Sequence, residues 1–116
     1  MKSFIVVRDQ IEGIHYYPEA PEDVIFLRQQ HRHIFHVSFR VDVRHANREL
    51  EFIIVKRHLK TVLSDFMRER SRSIFSCEML AEHVIHKMGQ RLNTLDREMM
   101  CSVFEDGENG AEVYYP

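Results

Sequence analysis

The sequence predicts an α+β domain of order β-β-α-α-β-β, a four-stranded antiparallel sheet with two helices on one face. Three observations predict it. From Phe35 to Val43 every odd position is apolar (Phe35, Val37, Phe39, Val41, Val43), while the even ones are His36, Ser38, Arg40 and Asp42. Such alternation is the pattern of a half-buried strand. Between Leu50 and Phe66 apolar residues recur three and four apart, at Phe52, Val55, Leu59, Val62, Leu63 and Phe66. That spacing draws one face of an amphipathic helix. Near the end, Asp106-Gly107-Glu108-Asn109-Gly110 is dense in turn residues and separates two short strand-like runs, which closes a hairpin. Elements in this order bury their apolar faces as a sheet with helices on one side.

Taken in turn, residues 3–15 read as the first strand, with Phe4-Ile-Val-Val7 at its head and Ile14-His15 at its end. Residues 16–30 hold Pro18 and Pro21 with Glu19, Glu22 and Asp23 between or beside them. Prolines at that density break ladders and helices alike, so the segment reads as a loop. Loops of this length inside a small domain are more often functional than idle. The second strand spans about residues 31–44. His45-Ala-Asn-Arg48 turns into the first helix, and the polar run Arg68–Ser73 connects it to a second. Ser76 is placed to cap that second helix, with Glu78 in its first turn to favour the dipole. Leu80, Ala81, Val84 and Met88 line its buried face, and Gly89 marks its weakening or end. Met99–Glu105 and Ala111–Tyr115 are the last two strands.

The chain, residues 1–116, reads as one domain without repeats or linkers. Its 16 basic and 18 acidic residues leave a formal charge of −2, which gives no electrostatic footprint for nucleic acid. Two cysteines, Cys77 and Cys101, are too few for a disulfide framework and point to a reducing compartment. No signal peptide or membrane span is legible, so the expected location is cytoplasmic. Two helices cover only one face of the sheet, and terminal strands leave open edges. Pairing edges between subunits into a closed barrel resolves both, and a homo-oligomer is expected.

The chemistry concentrates at His31-Arg32-His33, which opens the second strand. His31 and His33 share the parity of the apolar residues and face the core side. Residues two apart on a strand stand about 6.5–7 Å apart at the backbone, so two imidazoles can lean onto one zinc at about 2.0–2.1 Å each. His15, ending the preceding extended stretch, is the natural third ligand if the two strands pair. With eight histidines in the chain such pairs also arise by composition. Spacing alone leaves metal binding and an ordinary pair of strand histidines both open.

With these elements in place the chain resembles the 6-pyruvoyltetrahydropterin and 6-carboxytetrahydropterin synthase family, whose subunits have the T-fold. The family's phenylalanine-x-alanine-alanine-histidine element is similar to Ile11-Glu12-Gly13-Ile14-His15, and its histidine-glycine-histidine element to His31-Arg32-His33. Its aspartate-phenylalanine-x-x-leucine-lysine resembles Glu51-Phe52-Ile53-Ile54-Val55-Lys56. The proline-threonine-x-glutamate-asparagine-leucine-alanine run resembles Phe75-Ser76-Cys77-Glu78-Met79-Leu80-Ala81. The late valine-x-glutamate resembles Val103-Phe104-Glu105, and the closing alanine-x-x-tyrosine resembles Ala111-Glu112-Val113-Tyr114. The resemblance implies Zn2+ held by His15, His31 and His33, with a fourth position left for water or ligand. It also implies a pterin or related purine-like ring anchored by Glu105, and a hexamer of two stacked trimers. Dihydroneopterin-type substrates, 7-deazaguanines and a place in queuosine biosynthesis belong to the same implied class.

The departures bear on catalysis. Where family enzymes carry a catalytic cysteine before the histidine pair, this chain has Leu27. The leucine-aspartate-histidine element between the helices is replaced by a shorter stretch without histidine, Asp65–Phe75. Arg32 replaces a glycine between the two ligands, a bulky cation beside the expected site. The zinc, as Lewis acid, and the ring anchor are expected to be kept, while the matched proton-transfer groups are missing. Losing a general acid or base costs about 10²–10⁴-fold. His36 and His83 are the remaining catalytic candidates, against an ordinary strand residue and the polar side of a helix. Two functions stay open: a zinc-dependent lyase with altered proton transfer, or a non-catalytic ligand-binding or interaction protein on the same fold.

Overall fold

A computed structural model describes residues 1–116. Strand β1 runs Ser3–His15, β2 His31–Val43, β3 Met99–Glu105 and β4 Asn109–Tyr115. Helix α1 spans Phe52–Arg70 and α2 spans Cys77–Leu92. The sheet is antiparallel throughout in the order β1-β2-β3-β4, so β1 and β4 are its edges. This is the expected β-β-α-α-β-β architecture. No helix is long and apolar enough to cross a membrane.

The core forms where the odd face of β2 meets the two helices. Phe35, Val37, Phe39 and Val41 are buried against Val55, Leu59, Leu63 and Phe66 of α1 and Leu80, Val84, Ile85 and Met88 of α2. Each aliphatic or aromatic side chain so buried stabilises the fold by about 1.5–3 kcal/mol relative to exposure. Both cysteines are buried and free.

The differences from the sequence reading are local. Residues 16–30 are not plain loop, because a kinked 3-10 segment occupies Glu22–Arg28. Tyr17 donates its backbone N–H to the Leu27 carbonyl and Arg28 Nε donates to the Ala20 carbonyl, so the prolines bound a tied-down segment. Helix α1 continues to Arg70, beyond Phe66, because Met67 extends the buried stripe and Arg68-Glu69-Arg70 are good helix formers. At its other end Phe52 is 57% exposed, so the buried stripe begins at Val55 rather than Phe52. Gly89 does not end α2. The helix runs to Leu92 and stops at Asn93, which takes the left-handed conformation (φ 57°). A Cβ at Gly89 would stand 2.5 Å from Leu95 Cδ2, so that glycine permits close packing inside the helix. Strand β4 starts at Asn109, two residues early, because Asp106 and Gly107 both take positive φ and complete the turn.

Candidate metal centre

Backbone register assembles the site. In the β1–β2 ladder His15 lies opposite His31 and Gly13 opposite His33. In the β2–β3 ladder Phe35 lies opposite Glu105, so His31, His33 and Glu105 emerge from one face at one end of the sheet. One ring nitrogen of each of His15, His31 and His33 lies within 4.8 Å of those of the other two. Ring centroids are 4.6, 5.3 and 5.0 Å apart. His15 is buried and the other two are half-buried.

The outer nitrogens are all spoken for. His15 Nδ1 is 2.8 Å from the Phe75 carbonyl, at the entrance to α2. His31 Nδ1 is 2.8 Å from the Gln29 carbonyl, and His33 Nδ1 is 2.7 Å from Asp106 Oδ2. Carbonyls and carboxylates only accept, so each Nδ1 donates and each neutral ring turns a bare Nε2 lone pair inward. Nε2 of His15 and of His33 is buried with no hydrogen-bond partner. Buried polar atoms without partners cost free energy. A cation at their convergence removes that cost, and fixed Nδ1 partners are how proteins aim metal-binding imidazoles. The residues therefore fit a zinc ion.

Asp106 is tied into the same arrangement. Its Oδ1 accepts from the Ile34 N–H at 2.9 Å and its own N–H donates to the Ile34 carbonyl at 2.7 Å. The Ile34 bond first, then His33, hold its carboxyl below the ordinary range. Glu105 Oε2 stands 3.0 Å from His15 Nε2 and Oε1 3.7 Å from His33 Nε2. The nearer contact is not an aligned hydrogen bond. Glu105 is also held below the ordinary carboxylate range, first by His15 and then by His33 and His31, against the opposing effect of burial.

A cavity of about 500 Å³ opens beside the triad. His15, His31 and Glu105 line it together with Tyr16, Tyr17, Leu27 and Cys77. Leu27 reaches the cavity but brings no proton-transfer chemistry. Cys77 reaches it too, yet burial first, then the charges of Glu105 and Glu78, push its thiol up to about 12. It stays protonated at neutral pH.

Neither catalytic candidate joins the site. His36 has the opposite strand parity and lines a separate polar cavity on the other face of the sheet, with Arg8, Ser38 and Lys56. His83 packs on Phe66 with centroids 5.0 Å apart, and burial pulls its pKa down. Arg32 does not crowd the centre either. It points to the opposite face, where Nε lies 2.9 Å from Glu12 Oε1 and a second guanidinium nitrogen 3.0 Å from Oε2. Asp106 and Cys77 were missed as site residues. One was legible only as a turn residue, the other only as the first residue of a helix.

Fold and cluster together define a T-fold domain carrying three histidines at one end of its sheet. Among solved structures, the chain is similar to 6-pyruvoyl tetrahydropterin synthase from Plasmodium vivax. The TM-score is 0.64 at 13% identity, over 98% of each chain. No family model matches the sequence, and no curated protein sequence matches it. The likeness is therefore one of fold.

Proposed function

We propose that this protein binds zinc through His15, His31 and His33 and holds a pterin or related purine-like ring in the adjoining cavity. The observation that carries the reading is the triad itself, three imidazoles with every Nδ1 engaged outward and two buried Nε2 atoms left without partners. Zinc bound there would supply Lewis acidity toward oxygens of the ligand. Glu105 lines the cavity as an ionised carboxylate, suited to accept two hydrogen bonds from a ring N–H and an exocyclic amine. Tyr16 and Tyr17 add aromatic wall to the same cavity. Phe52, Ile53 and Ile54 are exposed apolar residues in the first turn of α1, and with two open sheet edges they support a homo-oligomer such as the hexamer of stacked trimers.

Binding is favoured over the lyase reaction of the family by one specific observation. The cavity holds no histidine beyond the triad, and its cysteine is a protonated thiol rather than a base. The test is calorimetric titration of the zinc-loaded protein with pterins, 7-deazaguanines and guanine nucleotides, beside an assay on dihydroneopterin triphosphate. One ring class should bind, and Glu105→Gln should weaken it roughly 10–100-fold, the range for losing a charged hydrogen bond. Absence of binding by every ring would overturn the reading. Turnover at the family's usual rates would replace it by the lyase.

A further inference from the structure

We infer that Glu105 is a fourth protein ligand of the metal while the cavity is empty, so that ring and metal compete for one carboxylate. The inference rests on the proposed zinc site and deepens it. In a tetrahedral zinc site with bonds of about 2.0–2.2 Å, neighbouring donor atoms stand about 3.3–3.6 Å apart. Glu105 Oε2 lies 3.0 Å from His15 Nε2 and Oε1 3.7 Å from His33 Nε2, on either side of that value. The carboxylate thus lies within a few tenths of an ångström of ligand-to-ligand distance from two of the three histidines, through one oxygen each.

These contacts call for a cation between the atoms, a proton or a metal. His15 and His33 each donate from Nδ1, to the Phe75 carbonyl and to Asp106. In the neutral rings their Nε2 atoms therefore face Glu105 as lone pairs. A lone pair against a carboxylate oxygen is repulsive unless a cation sits between them. Three imidazoles and one carboxylate are all donors that zinc accepts.

The backbone keeps the carboxylate there. Glu105 is the last residue of β3, paired with Phe35 two positions beyond His33. The next residue, Asp106, is bonded to Ile34 through both backbone and side chain. Drift of the strand end away from the triad would break these bonds, so only rotation of the Glu105 side chain can free it. That side chain is 29% exposed and borders the cavity, which leaves room for rotation.

A metal with four protein ligands is closed, and one with three keeps a position open. A ring that takes the Glu105 carboxylate by hydrogen bonding would then open the fourth position as it binds. Coupling of this kind is reciprocal, so whatever holds Glu105 at the metal weakens ring binding by the same factor.

The test uses the full chain and metal alone. Zinc affinity is measured by chelator competition for wild type, Glu105→Gln and Glu105→Ala. Cobalt(II)-loaded samples are then titrated with thiocyanate and followed by visible absorption. Both variants should bind zinc about 10-fold or more weakly, since lost supporting groups alone cost 10–100-fold. The wild-type cobalt spectrum should not respond to thiocyanate, whereas the variants' spectra should. Equal zinc affinities, or a wild-type spectrum that shifts at the same thiocyanate concentration as the variants', would overturn the role of Glu105 and leave the three-histidine site intact. Wild type that takes up neither metal would overturn both.

Discussion

Asp106→Asn changes one atom, and the structure fixes what that atom does. Asp106 uses both carboxylate oxygens at once, Oδ2 toward His33 Nδ1 at 2.7 Å and Oδ1 toward the Ile34 N–H at 2.9 Å. Both partners are donors. An amide offers one acceptor and one donor face, so it can satisfy only one of them. If its oxygen stays on Ile34, its NH₂ confronts the Nδ1–H of His33, and that ring must turn or move its proton to Nε2. A proton on Nε2 abolishes the lone pair a metal needs. If the oxygen turns to His33 instead, the Ile34 N–H loses its partner and the turn after β3 loosens. Asn tolerates the positive φ of 55° at this position, so the backbone itself gives no reason for collapse. Zinc affinity should fall about 10–100-fold, the range for losing the carboxylate behind a metal-bound histidine. Chelator competition reads that loss, and the melting temperature of the metal-free protein controls for folding. Unchanged zinc affinity in a folded variant would refute the reasoning that Asp106 sets the tautomer of His33.

Gly110→Ala should be strongly destabilising, because a Cβ there would meet the Val103 carbonyl oxygen at 1.8 Å and backbone cannot step aside. The loss should reach or exceed the upper end of the 1–3 kcal/mol usual for overpacking, read by denaturant unfolding, and a melting temperature near wild type would contradict it. The Glu49–Arg97 pair should give an acid-sensitive increment of stability. Arg97 first, then the Arg44 N–H, hold the Glu49 carboxyl down to about 2. A depressed carboxyl stabilises the fold above its unfolded value of about 4.3 and loses that contribution as pH falls through the folded value. Glu49→Gln should therefore lower the melting temperature at pH 5 to 7, with the gap closing toward pH 2. A gap that persists at pH 2 would contradict it.

Much of the fold was legible because its patterns are dense. Nine residues of unbroken alternation fix β2, and the three-four spacing from Val55 to Phe66 fixes α1 and the face it buries. The shared face of His31 and His33 was legible for the same reason, since parity is a property of the local period, whereas His15 meets them through the β1–β2 register. Helix ends were not. Arg68-Glu69-Arg70 carry no apolar signal yet continue α1, and Gly89 looks like a stop but serves packing against Leu95. The surroundings of the cluster were the least legible. The Phe75 and Gln29 carbonyls are backbone atoms that any residue would supply. Asp106 reaches His33 across 73 positions, and its sequence neighbours mark it only as a turn. The expected crowding by Arg32 failed because a strand sends alternate residues to opposite faces, the very rule that placed the histidines.

We propose that His15, His31 and His33 form one metal centre. Its most direct test is metal analysis of protein purified without chelator, beside a His31→Ala, His33→Ala double variant shown to fold. About one zinc per chain should accompany wild type and be lost in the variant. Stoichiometric zinc retained in the folded variant, or wild type that takes up none when zinc is supplied, would contradict the account.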